Sequence, residues 1–337
     1  GQPFFLYLAT NVPHSPHRVP ESSRRHYLEN GVPREMAAFY GMIENLDENV
    51  GGLRAHLRER GLEENTLFIY MTDNGSTFGS RPVPADEPNA TWTGFDAAMR
   101  GTKGTEYDGG HRVPFFLRWP ARGLGEGANG SRAIPQLTAH LDVLPTLVEL
   151  CGLRFDPPHP LDGRSLVPLL EGRTGDWPER TLFVHVQRDE LPPKWRRSTV
   201  MTERWRYVNG AELYDVSVDP RQTRNVASEH PEAVAALRAA YERWWESLQP
   251  SLARYEPIVI GAPGHPITRI NCMDWHAPLA QIPWDQPQIE KMPAANGWWM
   301  IEAAEAGRYR FILRHQPAQA AFPLRAVRAR VRVGDEE

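Results

Sequence analysis

Residues 65–75, NTLFIYMTDNG, begin as a run of apolar, β-branched and aromatic side chains and stop on Asp73-Asn74-Gly75. The run has the composition of a buried strand. Its abrupt end has two readings. Asn-Gly takes the positive φ angles of a tight hairpin turn. Alternatively, Asp and Asn offer hard oxygen ligands to Ca²⁺ or Mg²⁺, and the glycine lets the backbone turn beneath the ion. Taken alone the tripeptide favours the turn, and the sequence on either side is needed to weigh the metal site.

Towards the N-terminus, Met36, Phe39, Met42, Ile43, Leu46, Val50, Leu53 and Leu57 recur at helical spacing over residues 35–60, and Gly61 stands where a helix C′ residue belongs. Ahead of that helix, residues 4–9 form a second apolar run of strand type. Strand, helix and strand make a βαβ unit, whose crossover sets the two strands parallel. Ligands in open parallel sheets bind beyond the carboxyl ends of the strands. The loop TNVPHSPHRVP and the Asp73-Asn74 turn are therefore expected on one edge. Pro13, Pro16 and Pro20 stiffen that loop around His14 and His17, and two imidazoles so held suit acid–base or metal chemistry.

Towards the C-terminus, residues 76–114 are rich in Gly, Pro and polar side chains and too long for a simple connector. They end in RGTKGTEYDGGHRVP, residues 100–114. Lys103 stands out by scarcity, because only Lys103, Lys194 and Lys291 among the 38 Lys and Arg residues are lysines. An ammonium is a compact point charge that can meet one anionic oxygen and support a leaving group. Beyond it, PFFLRWP reads as a strand, and TAHLDVLPTLVELCG as a helix that Pro145 either kinks or enters in its first turn. RTLFVHVQ and STVMTERWRYV read as antiparallel strands, residues 231–248 as an amphipathic helix, and the region with NGWWMIEAAEAGRYRFILRH as a small antiparallel β module.

The chain has 337 residues, 41% of them hydrophobic and 24% charged, which suits one large core or two domains. A net charge of -4 leaves no basic footprint for nucleic acid or an anionic membrane. No apolar run approaches the roughly 20 residues of a membrane span. Cys151 and Cys272 lack the spacing of a zinc site, and a bridge between them stays open. GQPFFLYLAT starts in a strand-like run without Met and RAVRARVRVGDEE ends in one, so the chain reads as the interior of a longer protein.

The segments PFFLYLATNVPHSPHRVPE, FYGMIENLDENVGGLRAHLRERGLEENTLFIYMTDNG, MRGTKGTEYDGGHRVPFFLRWPARG, LTAHLDVLPTLVELCGL and LDGRSLVPLLEG, in this order, resemble the sulfatase family of arylsulfatase type over residues 3–172. ELYDVSVDP resembles the family's later part, and the region after residue 255 resembles appendages of some bacterial sulfatases. The resemblance implies an alkaline-phosphatase-like α/β fold, with a mostly parallel sheet flanked by helices and a smaller C-terminal antiparallel β region. Residues 1–180 would belong to the catalytic domain, 181–254 to its C-terminal subdomain of antiparallel strands and a packing helix, and 255–337 to a small β module.

The activity implied is hydrolysis of sulfate esters, aryl or carbohydrate, with Ca²⁺ (or Mg²⁺) and a formylglycine made from Cys or Ser. Position by position, Asp73 and Asn74 match metal ligands, and Asp73 also assists the formylglycine hydrate. His14 matches the group that touches the ester oxygen and helps the alcohol leave, and Lys103 matches the sulfate-binding lysine. His17, and His185 at the end of LFVHV, are further candidates for substrate contact. His111 and Arg112 read as supports of the lysine loop, and His140 and Asp142 as structural. Trp298-Trp299 offer a sugar platform or core packing.

The chain departs from the family in lacking C-x-P-S-R, S-x-P-S-R and any Asp-Asp pair. The nucleophile and first metal pair are thus expected ahead of residue 1, and this chain alone is expected to hydrolyse nothing. The physics of the reaction agrees: a cation and an ammonium offset the anionic oxygens that repel a nucleophile, and a proton at the bridging oxygen assists a poor leaving group. Two alternatives remain. A phosphodiesterase or phosphonate monoester hydrolase of the same superfamily would favour His at the Asn74 position, because a second transition metal prefers imidazole. A non-catalytic carbohydrate-binding protein on this fold is the other. Localisation is not written in these residues, although export to the periplasm or beyond suits an enzyme acting on sulfated glycans.

Overall fold

The computed structural model describes residues 2–78, 94–125, 131–187, 189–277, 282–283, 286–291 and 296–314. The chain divides into two compact units, one comprising Gly1–Val186 and Trp195–Trp244, the other Gln187–Lys194 and Trp245–Glu337. The expected strand in the tail falls outside the described residues, as does the middle of the long loop at 79–93.

In the first unit, α1 (Glu21–Glu29) packs on α2 (Arg34–Glu59). A Cβ on Gly41 would lie 2.7 Å from the Ser23 carbonyl oxygen, so the absence of a side chain sets how closely these helices approach. Val32, Met36 and Ala37 form a buried cluster beneath them, joined by Tyr27, Leu28, Tyr40 and Phe78. The end of α2 is a Schellman motif: Leu62 N–H reaches Leu57 O at 2.8 Å, Gly61 N–H reaches Arg58 O at 3.0 Å, and Gly61 has φ +66°. Buried Glu63 then accepts from Arg58 and Arg54 and pairs with Arg118, tying the helix end to the sheet.

The expected parallel βαβ unit is not what forms among the described residues. β1 (Phe68–Met71) pairs antiparallel with β2 (Phe115–Arg118), in the register Phe68 with Arg118. The apolar run at residues 4–8 lies outside any strand, with exposures of 59–80%. A strand needs a neighbour for its backbone groups, and apolar composition cannot supply one. Between the two strands sits α3 (Asp108–His111), a single helical turn. A 3₁₀ turn at His140–Asp142 leads into α4 (Val143–Leu150), with Pro145 in its first turn, and α5 (Val167–Leu170) follows. Asp142 is fully buried there. Both of its oxygens accept from Arg180 Nη1, and the carboxylate also accepts the N–H groups of Ala139 and Arg164, all at 2.8–2.9 Å.

The remainder of this unit is an antiparallel sheet in the order β3 (Leu182–His185), β4 (Ser198–Met201), β5 (Trp205–Val208), β6 (Glu212–Asp215). The helix α6 (Pro231–Leu252) lays Tyr241 and Trp244 on it. Trp244 stacks on Phe183 at 4.8 Å, and Tyr241, fully buried, stacks on Trp195 at 3.7 Å.

In the second unit, β7 (Ile258–Ile260) pairs with β8 (Ile301–Ala303) in parallel, and α7 (Gln286–Glu290) lies between them in sequence. Antiparallel pairing, expected throughout this region, occurs among the described residues only as isolated bridges, His276 with Trp298 and Ala262 with His265. The connection between β7 and β8 is long enough for a crossover, which a parallel pair requires and a hairpin does not. Cys151 and Cys272 are both free thiols. Among the described residues no helix is long and apolar enough to cross a membrane.

Candidate active site

The loop that follows β1 carries Asp73 and Asn74 and is bonded through its backbone to the loop that carries Lys103. Gly75 N–H donates to Gly110 O at 3.0 Å, and Lys103 N–H donates to Ser76 O at 2.9 Å, so the Asp-Asn-Gly turn and the lysine loop share backbone bonds. A Cβ on Gly75 would sit 1.8 Å from Gly109 O. Neither Asn74 nor Gly75 has a positive φ, so this is not the hairpin turn that Asn-Gly suggests. The glycine is there because another backbone lies against it. From a third direction, His140 Nε2–H donates to Thr72 O at 2.7 Å. From a fourth, the His17 ring lies 5.4 Å from Phe78, which links the PHSPH loop to the same segment.

The lysine loop is built as a turn. Thr105 N–H donates to Thr102 O at 2.9 Å, and Gly104, third in the turn, has φ +79°, as a type II turn requires. This leaves Lys103 at the second position, on the outside of the bend. The loop is clamped from the antiparallel sheet. Arg100 donates to Tyr214 Oη and Gln222 O at 2.9 Å and to Tyr107 Oη at 3.0 Å. Its guanidinium lies 3.8 Å from the Tyr107 ring centroid. Tyr107 donates to Glu212, and burial together with that carboxylate pushes its phenol up to about 12. Asp108 receives Arg206 Nε at 2.8 Å in a buried ion pair, and Gln222 Oε1 accepts the Asp108 N–H at 2.9 Å. Burial lowers the pKa of His111, with Arg206 adding to that effect and Asp108 opposing it; its Nε2–H donates to Glu106 O.

Asp73 is exposed, and among the described residues nothing bonds or pairs with its carboxylate. Asn74 Nδ2 is taken up by Gly75 O at 3.0 Å, which leaves its amide oxygen as the acceptor on offer. The Lys103 ammonium, half-buried, has no protein partner among the described residues. His14 is exposed, and its Nδ1–H donates to Ser15 O at 2.8 Å, which turns Nε2 outward. His17 differs from His14. Its side chain is 7% exposed and edge-on to Phe39 at 5.6 Å; neither ring nitrogen makes a hydrogen bond, and Nδ1 lies 3.5 Å from Glu35 Oε1. His185 packs against Tyr241 and Trp244 between β3 and α6.

Two adjacent oxygen donors without a bonded cation suit a hard divalent ion, and they supply only part of the six to eight oxygens that Ca²⁺ takes. Among the described residues no three His, Cys, Asp or Glu side chains converge as a metal cluster. Sequence reasoning did not find Arg100, Arg206, Tyr214 or Gln222. The bonds that join Arg100 and Asp108, in the lysine loop, to Tyr214, Gln222 and Arg206 span about 100 or more residues, and no local pattern marks such pairs.

The profile of the family described as Sulfatase matches residues 1–153, and that described as N-sulphoglucosamine sulphohydrolase, C-terminal, matches residues 102–246. Human arylsulfatase A is 32% identical over 220 residues, covering 65% of this chain and 39% of that protein. The uncharacterized sulfatase YdeN of Escherichia coli K12 is 24% identical over 287 residues, covering 75% and 48%. The crystal structure of Ps i-CgsB in complex with k-i-k-neocarrahexaose matches with a TM-score of 0.59 over 72% of this chain and 50% of that one, at 22% identity, and so shares its fold. The chain thus spans about half the length, or less, of these relatives. The two profiles run without a gap from residue 1 to residue 246, and on their agreement this α/β chain belongs to the sulfatase family, with its alkaline-phosphatase-like fold.

Proposed function

We propose that this chain supplies the sulfate-holding side of a sulfuric ester hydrolase. The observation that carries the reading is the pair of backbone bonds, Gly75 to Gly110 and Lys103 to Ser76, which joins the loop of Asp73 and Asn74 to the loop of Lys103. Asp73 and Asn74 would hold the Ca²⁺ through their side-chain oxygens. When bound, the ion offsets negative charge on the sulfate oxygens, and a formylglycine, which this chain does not contain, supplies the attacking hydroxyl. Lys103 contacts an anionic oxygen of the ester as a point charge, and its position on the outer bend of a clamped turn holds it there without reorganisation. His14 passes a proton from Nε2 to the bridging oxygen as the S–O bond breaks, so the alcohol departs neutral. The bond from Nδ1 to Ser15 O fixes the ring for that transfer.

His17 and His185 take no substrate role in this reading. Both rings are packed among aromatic side chains. Asn74 favours one hard ion over a pair of transition metals, which supports sulfate over phosphate esters.

The test is the longest open reading frame that contains this chain, expressed in a host that converts the Cys or Ser to formylglycine. It is expected to release sulfate from 4-nitrophenyl sulfate in a Ca²⁺-dependent manner, with Lys103→Ala and Asp73→Ala each lowering kcat/KM about a hundredfold or more. Absence of release, or release indifferent to both substitutions, overturns the reading.

A further inference from the structure

A cavity of about 640 Å³ lies within the second unit, with Tyr255, His276 and Trp298 on its aromatic side and Asp189, Glu190 and Asn296 on its polar side. An isolated antiparallel bridge builds it, His276 N–H donating to Trp298 O at 2.9 Å. Residues opposed on such a bridge project to the same side, and the next pair projects to the other. The His276 ring accordingly stacks on the Trp298 indole at 4.3 Å, while Trp275 and Trp299 meet each other at 5.7 Å. Trp299 gives its indole N–H to Asn271 O at 3.0 Å, whereas Trp298 is 49% exposed. The two adjacent tryptophans therefore divide the roles that the sequence left open, Trp299 packing and Trp298 lining the cavity. Tyr255 stands perpendicular to Trp298 at 5.7 Å and edge-on to His276 at 4.4 Å. Glu190 accepts from the Tyr255 hydroxyl and, at 3.3 Å, from His276 Nδ1, which fixes both rings.

The walls select the ligand by their chemistry. The volume suits a small molecule of one or two rings. Asp189 and Glu190 disfavour sulfate, phosphate and carboxylate groups. An aromatic face beside carboxylates and an amide matches a pyranose, whose C–H face is apolar and whose rim of hydroxyls donates to carboxylates and both donates to and accepts from an amide. We propose that this cavity binds an uncharged pyranose residue of an oligosaccharide, its apolar face on Trp298 and its hydroxyls towards Asp189, Glu190 and Asn296. The site uses residues of the second unit alone, so it stands apart from the sulfatase reading and can fail without it.

Saturation-transfer NMR on the full chain tests this, with lactose, cellobiose and methyl α-mannoside as neutral probes and galactose 6-sulfate and tetramethylammonium as charged ones. At least one neutral sugar is expected to bind, about tenfold more weakly to Trp298→Ala and within about threefold of the parent for Trp298→Phe, the difference an aromatic contact makes. Asn296→Ala is expected to weaken the same sugar about threefold or more, through loss of its hydrogen bonds. Should Trp298→Ala not fold, Trp298→Phe and Asn296→Ala carry the comparison. No transfer to any neutral sugar, unchanged binding in Asn296→Ala, or preference for galactose 6-sulfate or tetramethylammonium overturns the proposal.

Discussion

The backbone N–H of Gly75 donates to the carbonyl of Gly110 at 3.0 Å, which makes the turn after β1 and the helical turn α3 one packed unit of backbone. The preceding residue, Gly109, also lies against Gly75, its carbonyl oxygen 1.8 Å from where a Cβ would be. Gly75→Ala is therefore expected to destabilise the chain by about 2–3 kcal/mol through overpacking. It should also shift the amide resonances of Lys103 and Ser76. Urea unfolding and an amide NMR spectrum read both effects, and an unshifted Lys103 amide would mean that the two loops do not depend on each other.

Arg206 and Asp108 form a buried pair that anchors the lysine loop to β5. Replacing Arg206 by Met leaves a buried carboxylate without its cation, at a cost of about 3–5 kcal/mol. Hydrogen exchange at residues 100–111 should rise in the variant by more than at α2. Uniform acceleration would instead point to global loss without a special link to the loop.

His111 gives a pH dependence whose sign follows from its lowered pKa. Burial disfavours the charged ring in the folded chain, so the unfolded chain takes up a proton first. The folded state is thus favoured above the ordinary histidine value of about 6.5, and stability is lost as the pH falls below it towards the folded-state value. Urea midpoints at pH 7.5 and pH 5 should differ more for the parent chain than for His111→Gln. Equal differences would remove His111 as a cause.

His17 sits between Phe39 and Phe78 with no hydrogen bond at either ring nitrogen, and its one polar neighbour is Glu35 Oε1, 3.5 Å from Nδ1, so burying the ring is expected to cost about as much as that contact returns. His17→Phe is expected to leave stability unchanged or raise it by up to about 1 kcal/mol, as read by thermal unfolding. A loss of stability of more than about 1 kcal/mol would show that the contact with Glu35 outweighs the cost of burying the ring.

Parts of this arrangement were legible in the sequence for identifiable reasons. The apolar spacing from Met36 to Leu57 and the glycine at 61 mark α2 and its Schellman end, because both depend on residues within one helix turn of each other. The scarcity of lysine drew attention to Lys103, and the structure joins its loop through backbone bonds to the turn of Asp73 and Asn74. The direction of strand pairing was not legible, since residues 4–9 have the composition of a strand and no described neighbour to pair with. Nor was the clamp on the lysine loop, where Arg100 meets Tyr214 and Arg206 meets Asp108 across about 100 residues. The histidines show the same limit. His14 and His17 look alike as letters, yet one faces solvent and the other is enclosed by rings.

The most direct test of a shared cation and sulfate site is an amide NMR titration of this chain, first with Ca²⁺ and then with 4-nitrophenyl sulfate. Resonances of residues 73–76 and of Lys103 should move together with Ca²⁺ and stay fixed in Asp73→Ala, and the ester should then perturb Lys103 in the parent but not bind in Lys103→Ala. Calcium shifts confined to other acidic residues, or an ester response that survives both substitutions, would contradict it.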